Sequence, residues 1–284
     1  MRNPKYIPIL ILVLTIITIP ACTERIDIDL DQTYVRLAVE GYITPEKGRQ
    51  YIKLTETSDY FYNNPPPTVS DAQVVITTPD SSVIFTEDPT KPGYYIPPSD
   101  FVGVPEKAYT MDIVLQEPIN GTVNYRSTEI MPHQTTDIDS ITLEYNPQWE
   151  RWLVHLYAWE PATVDYYLFN AINNGVLISD SISRKIISED KLYNGNYTNG
   201  ATVQVLYKDE VSPGDTFTLV LSNITKEYFD FIVGVQEEIQ AKNPLFSGPA
   251  ANVLSNVEVD AVGYFAAFPS TYSTTIVKTP EDWE

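Results

Sequence analysis

The sequence has little cysteine, histidine and basic charge, and each shortage excludes a class of protein. A single cysteine, Cys22, excludes a disulfide bond within the chain. Two widely separated histidines, His133 and His155, argue against a metal site built on imidazole ligands. The 18 Lys and Arg residues are outnumbered by 38 Asp and Glu, which gives a net charge of −20. Since nucleic-acid binding needs clustered basic residues, we expect no nucleic-acid partner.

Long apolar runs are also missing. Residues 9–19 form a mostly apolar run that is too short to span a hydrocarbon core of about 30 Å. Arg2 and Lys5 precede this run, and Ala21 supplies a small residue after it. This order is typical of a secretory signal peptide, which we assign to residues 1–21.

Cys22 directly follows that signal, in the sequence Ile19-Pro20-Ala21-Cys22. These four residues resemble a bacterial lipobox, in which the cysteine receives a diacylglycerol and becomes the first residue of the mature chain. A catalytic cysteine would need a nearby base, and neither histidine is close in sequence. Because two or more acyl chains anchor a protein stably, Cys22 is predicted to bind the membrane through its lipid.

An acidic segment, "TERIDIDLD", comes next and is assigned with Cys22 to a tether over residues 22–32. It resembles the export signal that carries lipoproteins of Bacteroidota to the outer face of the outer membrane. The predicted location is therefore the outer membrane, facing the cell exterior. The spaced aspartates do not form an EF-hand, because Gln32 stands where the loop needs glycine, and we predict no metal site.

The rest of the chain alternates apolar and polar residues with turn signals every 8–15 residues, which predicts an all-β protein. Short strands and hairpins over residues 33–131 favour an immunoglobulin-like β-sandwich. Asn120-Gly121 suits the positive φ angles of a tight hairpin turn.

A polar linker at 132–139 is predicted to lead into a second β-rich domain at 140–284. In its strand "RWLVHLYAW", Trp152, Val154, Leu156 and Ala158 fit an inward face. Apolar residues spaced by three and four predict one amphipathic helix at about 223–241, with Asn223 or Thr225 as its N-cap.

Several segments together resemble a family of Bacteroidota outer-membrane lipoproteins, domain of unknown function 4249. Besides the lipobox, they are "LAVEGYIT", "PGYYIP", "ISEDKLYNGNYTNG" and "NPLFSGPAANVLSNVEVDAVGYFAAF". The resemblance implies a surface lipoprotein associated with a TonB-dependent receptor. It brings no established activity, and we expect no cofactor.

Motifs of catalysis are absent, including G-x-S-x-G, H-E-x-x-H and the P-loop. We therefore expect a non-enzymatic binding or accessory protein of a TonB-dependent nutrient uptake system. A structural or assembly factor of the outer membrane is an alternative. A two-carboxylate glycan hydrolase also remains open, since 38 acidic residues allow many pairs in space.

Aromatic residues supply the candidate contacts for a partner protein or for a glycan or peptide ligand. Tyr60, Phe61 and Tyr62 precede the stiff Pro65-Pro66-Pro67 segment, and Trp149 falls out of phase with its strand. The alternative is that these rings cover the end of a core. Asp139-Ser140-Ile141 and Asp180-Ser181-Ile182 resemble the Bacteroidota O-glycosylation sequon, which makes Ser140 and Ser181 candidate sites.

Mass spectrometry of the mature amino terminus tests the lipid assignment. We expect a chain that begins at Cys22 and carries acyl chains, whereas a Cys22→Ala variant should stay unprocessed and unlipidated. An unmodified native chain that begins before residue 22 would contradict the assignment.

Overall fold

A computed structural model describes residues 34–58, 64–191, 194–239 and 253–279. The described chain is mostly strand with one α-helix, which confirms the all-β class. The strands are β1 Leu37–Ile43, β2 Tyr51–Glu56, β3 Gln73–Thr77, β4 Ser82–Glu87, β5 Tyr94–Ile96, β6 Ala108–Ile119, β7 Thr122–Ile130, β8 Ile138–Asn146, β9 Arg151–Ala158, β10 Tyr166–Asn173, β11 Val176–Leu177, β12 Ile186–Glu189, β13 Ala201–Tyr207, β14 Thr216–Ile224, β15 Ala261–Ala267 and β16 Ser270–Ile276. The helix, α1, spans Lys226–Ile239, and a single 3-10 turn spans Ile182–Arg184.

Eight strands follow one hydrogen-bonded path in the order β15-β1-β2-β5-β4-β3-β6-β7. Strand β4 changes partners along its length, because its first residues pair with β3 while Thr86 and Glu87 pair with β5. A strand that changes partners in this way turns the corner between two packed layers. The layers enclose a first core that includes Leu37, Val39, Ile52, Leu54, Val74, Ile76, Tyr109, Met111 and Phe265.

The second half of the chain builds a five-stranded sheet, β11-β10-β14-β16 with β12 beside β10, and a three-stranded sheet, β13-β9-β8. Their facing sides enclose a second core, whose members include Phe169, Leu206, Phe217, Leu219 and Leu221. The predicted inward face of β9 is confirmed, since all four of its residues are buried there: Trp152, Val154, Leu156 and Ala158.

Helix α1 lies within the predicted range of 223–241 and begins after its cap. The side-chain oxygen of Thr225 accepts the Tyr228 N–H at 3.3 Å, so Thr225 acts as the N-cap. The other candidate, Asn223, instead donates its amide to the Asp165 carboxylate at 3.1 Å. Within the described ranges, α1 is too short and too polar to cross a membrane, and no other helix could do so.

Two backbone positions confirm the predicted hairpin turn between β6 and β7. Asn120 and Gly121 have φ angles of 47° and 80°, the left-handed values that a tight hairpin requires.

Strand β15 joins the first half of the molecule to the second. It pairs in parallel with β1, and only Phe268 and Pro269 separate it from β16 of the five-stranded sheet. The predicted domain boundary at 132–139 stays a prediction. The described residues from 35 onward nevertheless belong to one compact unit.

Gly263 permits the close pairing of β15 and β1. Its φ angle is 97°, and a Cβ atom there would lie 1.9 Å from the Val39 carbonyl oxygen. Any larger residue would therefore suffer both backbone strain and overlap with the neighbouring backbone.

We expect Gly263→Ala to destabilise the fold by at least about 2 kcal/mol more than Gly121→Ala. Gly121 also has a positive φ, but open space surrounds its Cβ position, so the control isolates the overlap at Gly263. Urea unfolding of both variants measures the difference. Equal losses would show that β15 can move away from β1 at little cost.

Candidate ligand-binding cleft

A cleft of about 480 Å³ lies between the eight-stranded path and the five-stranded sheet. One wall is the face of β1, β2 and β15 that points away from the first core, and the other is the corresponding face of β10, β14 and β16. Helix α1 and the 3-10 turn border the same space. The cleft arises because these strands alternate, with one set of side chains in a core and the other set facing the opposite sheet.

Aromatic rings dominate the walls of the cleft. The Tyr42 ring stacks on Phe268 at a centroid distance of 5.3 Å and meets the edge of Tyr51 at 5.0 Å. The Phe268 ring also stacks on Tyr228 at a centroid distance of 6.1 Å, with the two rings within 6° of parallel. Burial raises the pKa of Tyr42 to about 12 and also raises the pKa of Tyr228, so both hydroxyls stay neutral at physiological pH. The aromatic lining residues are Tyr42, Tyr51, Tyr228, Phe231, Tyr264, Phe268 and Tyr272.

Glu40 is engaged by its neighbours on the first wall. Its carboxylate accepts the Tyr51 hydroxyl at 2.7 Å and lies 3.4 Å from the Lys53 ammonium. Burial, with a further contribution from the Glu40 carboxylate, raises the pKa of Tyr51. The Glu40 charge is therefore already compensated by protein groups.

Two further polar side chains, those of Arg49 and Glu46, line another part of the cleft. The Arg49 guanidinium packs over the Tyr272 ring at 5.1 Å, and Glu46 accepts a hydrogen bond from Thr44. Burial raises the pKa of Glu46, while its backbone and Arg49 act in the opposite direction. These contacts hold the Arg49 and Glu46 side chains in place.

Lys185 stands between the 3-10 turn and β12, and its side chain lines the cleft. The Gln236 amide of α1 donates to the carbonyls of Ile182 and Lys185 at 2.9 and 2.8 Å, which fixes this segment. Burial lowers the pKa of Lys185, with the carboxylates of Glu40 and Asp180 opposing the shift. No hydrogen bond or ion pair among the described residues involves its ammonium group.

Glu129 on β7 supports the Tyr264 side of the cleft from behind. Its carboxylate is 8% exposed and accepts the Tyr264 hydroxyl at 2.9 Å and the Asn256 amide at 3.3 Å. Burial raises the pKa of Glu129 to about 7, although the hydrogen bond from Tyr264 acts against the shift.

Three buried carboxylates lie together outside the cleft lining, a cluster that the sequence prediction of no metal site did not anticipate. Oxygens of Glu160, Asp165 and Asp190 all lie within 4.8 Å of one another. Such oxygens are suited to a hard cation such as Ca²⁺. Protein donors also satisfy them, since Tyr167 donates to Glu160 and the Asp165 N–H donates to Asp190 at 3.1 Å. The Asp165 carboxylate accepts the Asn223 amide at 3.1 Å, so each of the three carboxylates has a protein donor.

Most residues predicted to bind a partner lie outside the described ranges. These are the lipidation site Cys22 and the three loop aromatics, Tyr60, Phe61 and Tyr62. Trp149 is described, and it stands 63% exposed in the β8–β9 turn, away from the cleft lining. Its exposure leaves it free to contact a partner, which stays a prediction.

Ser140 and Ser181, the candidate O-glycosylation sites, are both exposed. Ser140 lies on β8, and the Ser181 hydroxyl is 2.8 Å from that of Ser183. Their modification stays a prediction.

The buried Glu129 carboxyl should make the free energy of unfolding depend on pH. Its pKa is about 7 in the fold against 4.5 for a glutamate carboxyl in water, so between these values the folded state holds a proton that the unfolded state releases. Stability should therefore fall as pH rises from about 4.5 to 7, by at most roughly 3 kcal/mol.

We expect Glu129→Gln to remove that part of the pH dependence and to raise stability at pH 8 relative to the native chain. Urea unfolding between pH 4 and pH 8 measures the profile, with the exposed Glu117→Gln as the matched control. A profile for Glu129→Gln that runs parallel to the native one would contradict the prediction.

Comparison with known proteins identifies the family of the chain. No curated protein matches it. Residues 23–274 match a family model described as domain of unknown function (DUF4249), a span that contains every described strand except the last two residues of β16. The chain therefore belongs to the DUF4249 family.

Proposed function

We propose that the chain is a surface-exposed outer-membrane lipoprotein that binds a ligand in the cleft as a non-enzymatic accessory of a TonB-dependent nutrient uptake system. The cleft is the observation that carries this proposal. Its volume of about 480 Å³ falls within the range typical of small-molecule sites.

The lining of the cleft supports ligand binding. The partly exposed rings of Tyr42 and Tyr51 offer contact area with little loss of side-chain entropy. Polar groups held in place, including Arg49 on Tyr272, can orient a ligand. This combination suits a glycan or a short peptide, because both present an apolar surface together with hydrogen-bonding groups.

The proposed location depends on the sequence at the amino terminus. The lipobox ending at Cys22 supplies the anchor, and the acidic tether that follows supplies the address. Both lie ahead of the compact unit that begins at Val35.

A two-carboxylate glycan hydrolase is the less favoured alternative. Such an enzyme needs two carboxylates that reach a substrate. Of the carboxylates that line the cleft, Glu40 pairs with Lys53, Glu46 accepts a hydrogen bond from Thr44, and Asp180 is exposed. The clustered Glu160 and Asp165 are only 8% and 3% exposed and do not line the cleft.

The second candidate, a structural or assembly factor of the outer membrane, is distinguished by its partners. The lipidated protein would be purified with its neighbours from detergent-solubilised membranes of the native cell. A stable TonB-dependent transporter supports the proposal, whereas outer-membrane assembly machinery supports the alternative.

Blocking the cleft tests whether it is a ligand site. The probe is 1-N-phenylnaphthylamine, a neutral aromatic amine, and the protein is the whole mature chain with Cys22→Ser so that no detergent is needed. The side chain of Ala38 on β1 faces the cleft, and Ala38→Trp should fill part of it.

We expect saturable binding of the probe and a loss of affinity of about tenfold or more in Ala38→Trp. The control, Ile84→Trp, adds a similar ring on exposed β4 and should change affinity less than about twofold. Equal binding by all three proteins, measured by fluorescence titration, would contradict a ligand site in the cleft.

A further inference from the structure

The charges that line the cleft differ from those of the whole chain. Three acidic side chains, from Glu40, Glu46 and Asp180, are balanced by three basic ones, from Arg49, Lys53 and Lys185. The chain as a whole carries about two acidic residues for each basic one, 38 against 18. The cleft is therefore a local exception on an acidic protein, and it repels an anion less than the surrounding surface does.

Two of the three basic side chains already have partners in the protein. Lys53 pairs with Glu40, and Arg49 packs over the Tyr272 ring. Lys185 differs, because its ammonium forms no hydrogen bond or ion pair with any residue that the structure describes. Two carboxylates, Glu40 and Asp180, interact with the Lys185 charge. Glu40 is engaged by Tyr51 and Lys53, and Asp180 is exposed to water.

A partly buried ammonium without a partner loses hydration and gains nothing in return. An anionic group placed beside it would supply a charge-assisted hydrogen bond. The position of Lys185 is also prepared in advance, since Gln236 of α1 holds its backbone carbonyl at 2.8 Å. Only the side chain then has to be ordered when a ligand arrives, which reduces the entropic cost of binding.

The surroundings of Lys185 suggest the rest of the ligand. The Tyr228 and Phe231 rings of α1 line the same cleft, and the Tyr42–Phe268 stack continues from Tyr228. Such rings contact apolar or planar groups well but do not compensate a charge.

We propose that the cleft binds an amphiphilic organic anion, with its anionic group on the Lys185 ammonium and its apolar body against the Tyr42 and Tyr228 rings. This inference rests on the proposed function, because it names the class of ligand for the same cleft. It narrows the candidates to molecules that carry a carboxylate or a similar acidic group beside an apolar surface.

Two matched probes separate the anionic group from the aromatic body. 8-Anilino-1-naphthalenesulfonate carries a sulfonate on the anilinonaphthalene skeleton, and 1-N-phenylnaphthylamine has the same skeleton without it. Both are titrated by fluorescence into the mature chain with Cys22→Ser and into its Lys185→Met, Lys185→Arg and Lys208→Met derivatives.

We expect Lys185→Met to weaken the sulfonate probe by about tenfold and the neutral probe by less than about twofold. Lys185→Arg keeps the charge and should retain most of the affinity for the sulfonate. Lys208→Met removes a lysine that pairs with Glu150 outside the cleft, and should leave both affinities unchanged. Urea unfolding of each variant checks that the fold is retained.

Each other outcome has a distinct meaning. Equal loss of both probes in Lys185→Met would show that the side chain only packs, and an unchanged sulfonate affinity would show that it meets no anion; either result overturns the inference while leaving the cleft as a ligand site. Retention of both probes by Ala38→Trp would instead overturn the proposed function itself.

Discussion

The close approach of two backbones at Gly263 is the constraint on which the two halves of the molecule depend. Because no side chain intervenes there, β15 can pair in parallel with β1 along its full length. After β15 ends, two residues lead into β16, which belongs to the five-stranded sheet. The outward faces of the two sheets are thereby brought opposite each other, and the cleft is the space that their side chains and α1 leave between them.

The polar groups of the cleft are arranged around that same junction. Tyr264 of β15 contributes its ring to the aromatic lining and its hydroxyl to Glu129 behind the wall. A buried carboxyl whose pKa is raised to about 7 normally costs stability. Here the Glu129 carboxyl also positions the Tyr264 ring in the cleft wall. Glu40 and Arg49 also contact other protein groups, Glu40 through Tyr51 and Lys53 and Arg49 through Tyr272. Lys185 is the exception that gives the site its chemical preference.

Much of the local structure could be predicted from the sequence, since alternation and turn residues are local signals. The inward face of β9 and the turn at Asn120-Gly121 follow from period-two burial and from the tolerance of Asn and Gly for positive φ. The pairing of β1 with β15 could not be predicted, because no local pattern encodes a contact across more than 200 residues.

The site was harder to predict than the strands. Lys185 lies in the polar stretch "SISRKIIS", where a lysine ordinarily faces water, and only the packing of α1 over the turn places it in a cleft. Glu129 lies at an inward-facing position of β7. From the sequence alone, a charged residue at such a position cannot be told apart from a wrongly assigned strand register. The acidic cluster joins two residues of the β9–β10 connection with one that follows β12, and so depends on tertiary structure alone.

The parallel pairing of β1 and β15 also orders events in time. A chain is synthesised from its amino terminus, so β1 is made long before the strand that will complete its sheet. Contacts of such high sequence separation form slowly, and until they form β1 presents an unpaired edge to other chains. The last strands to be made thus complete the first sheet, and premature pairing of β1 is a route to misassembly.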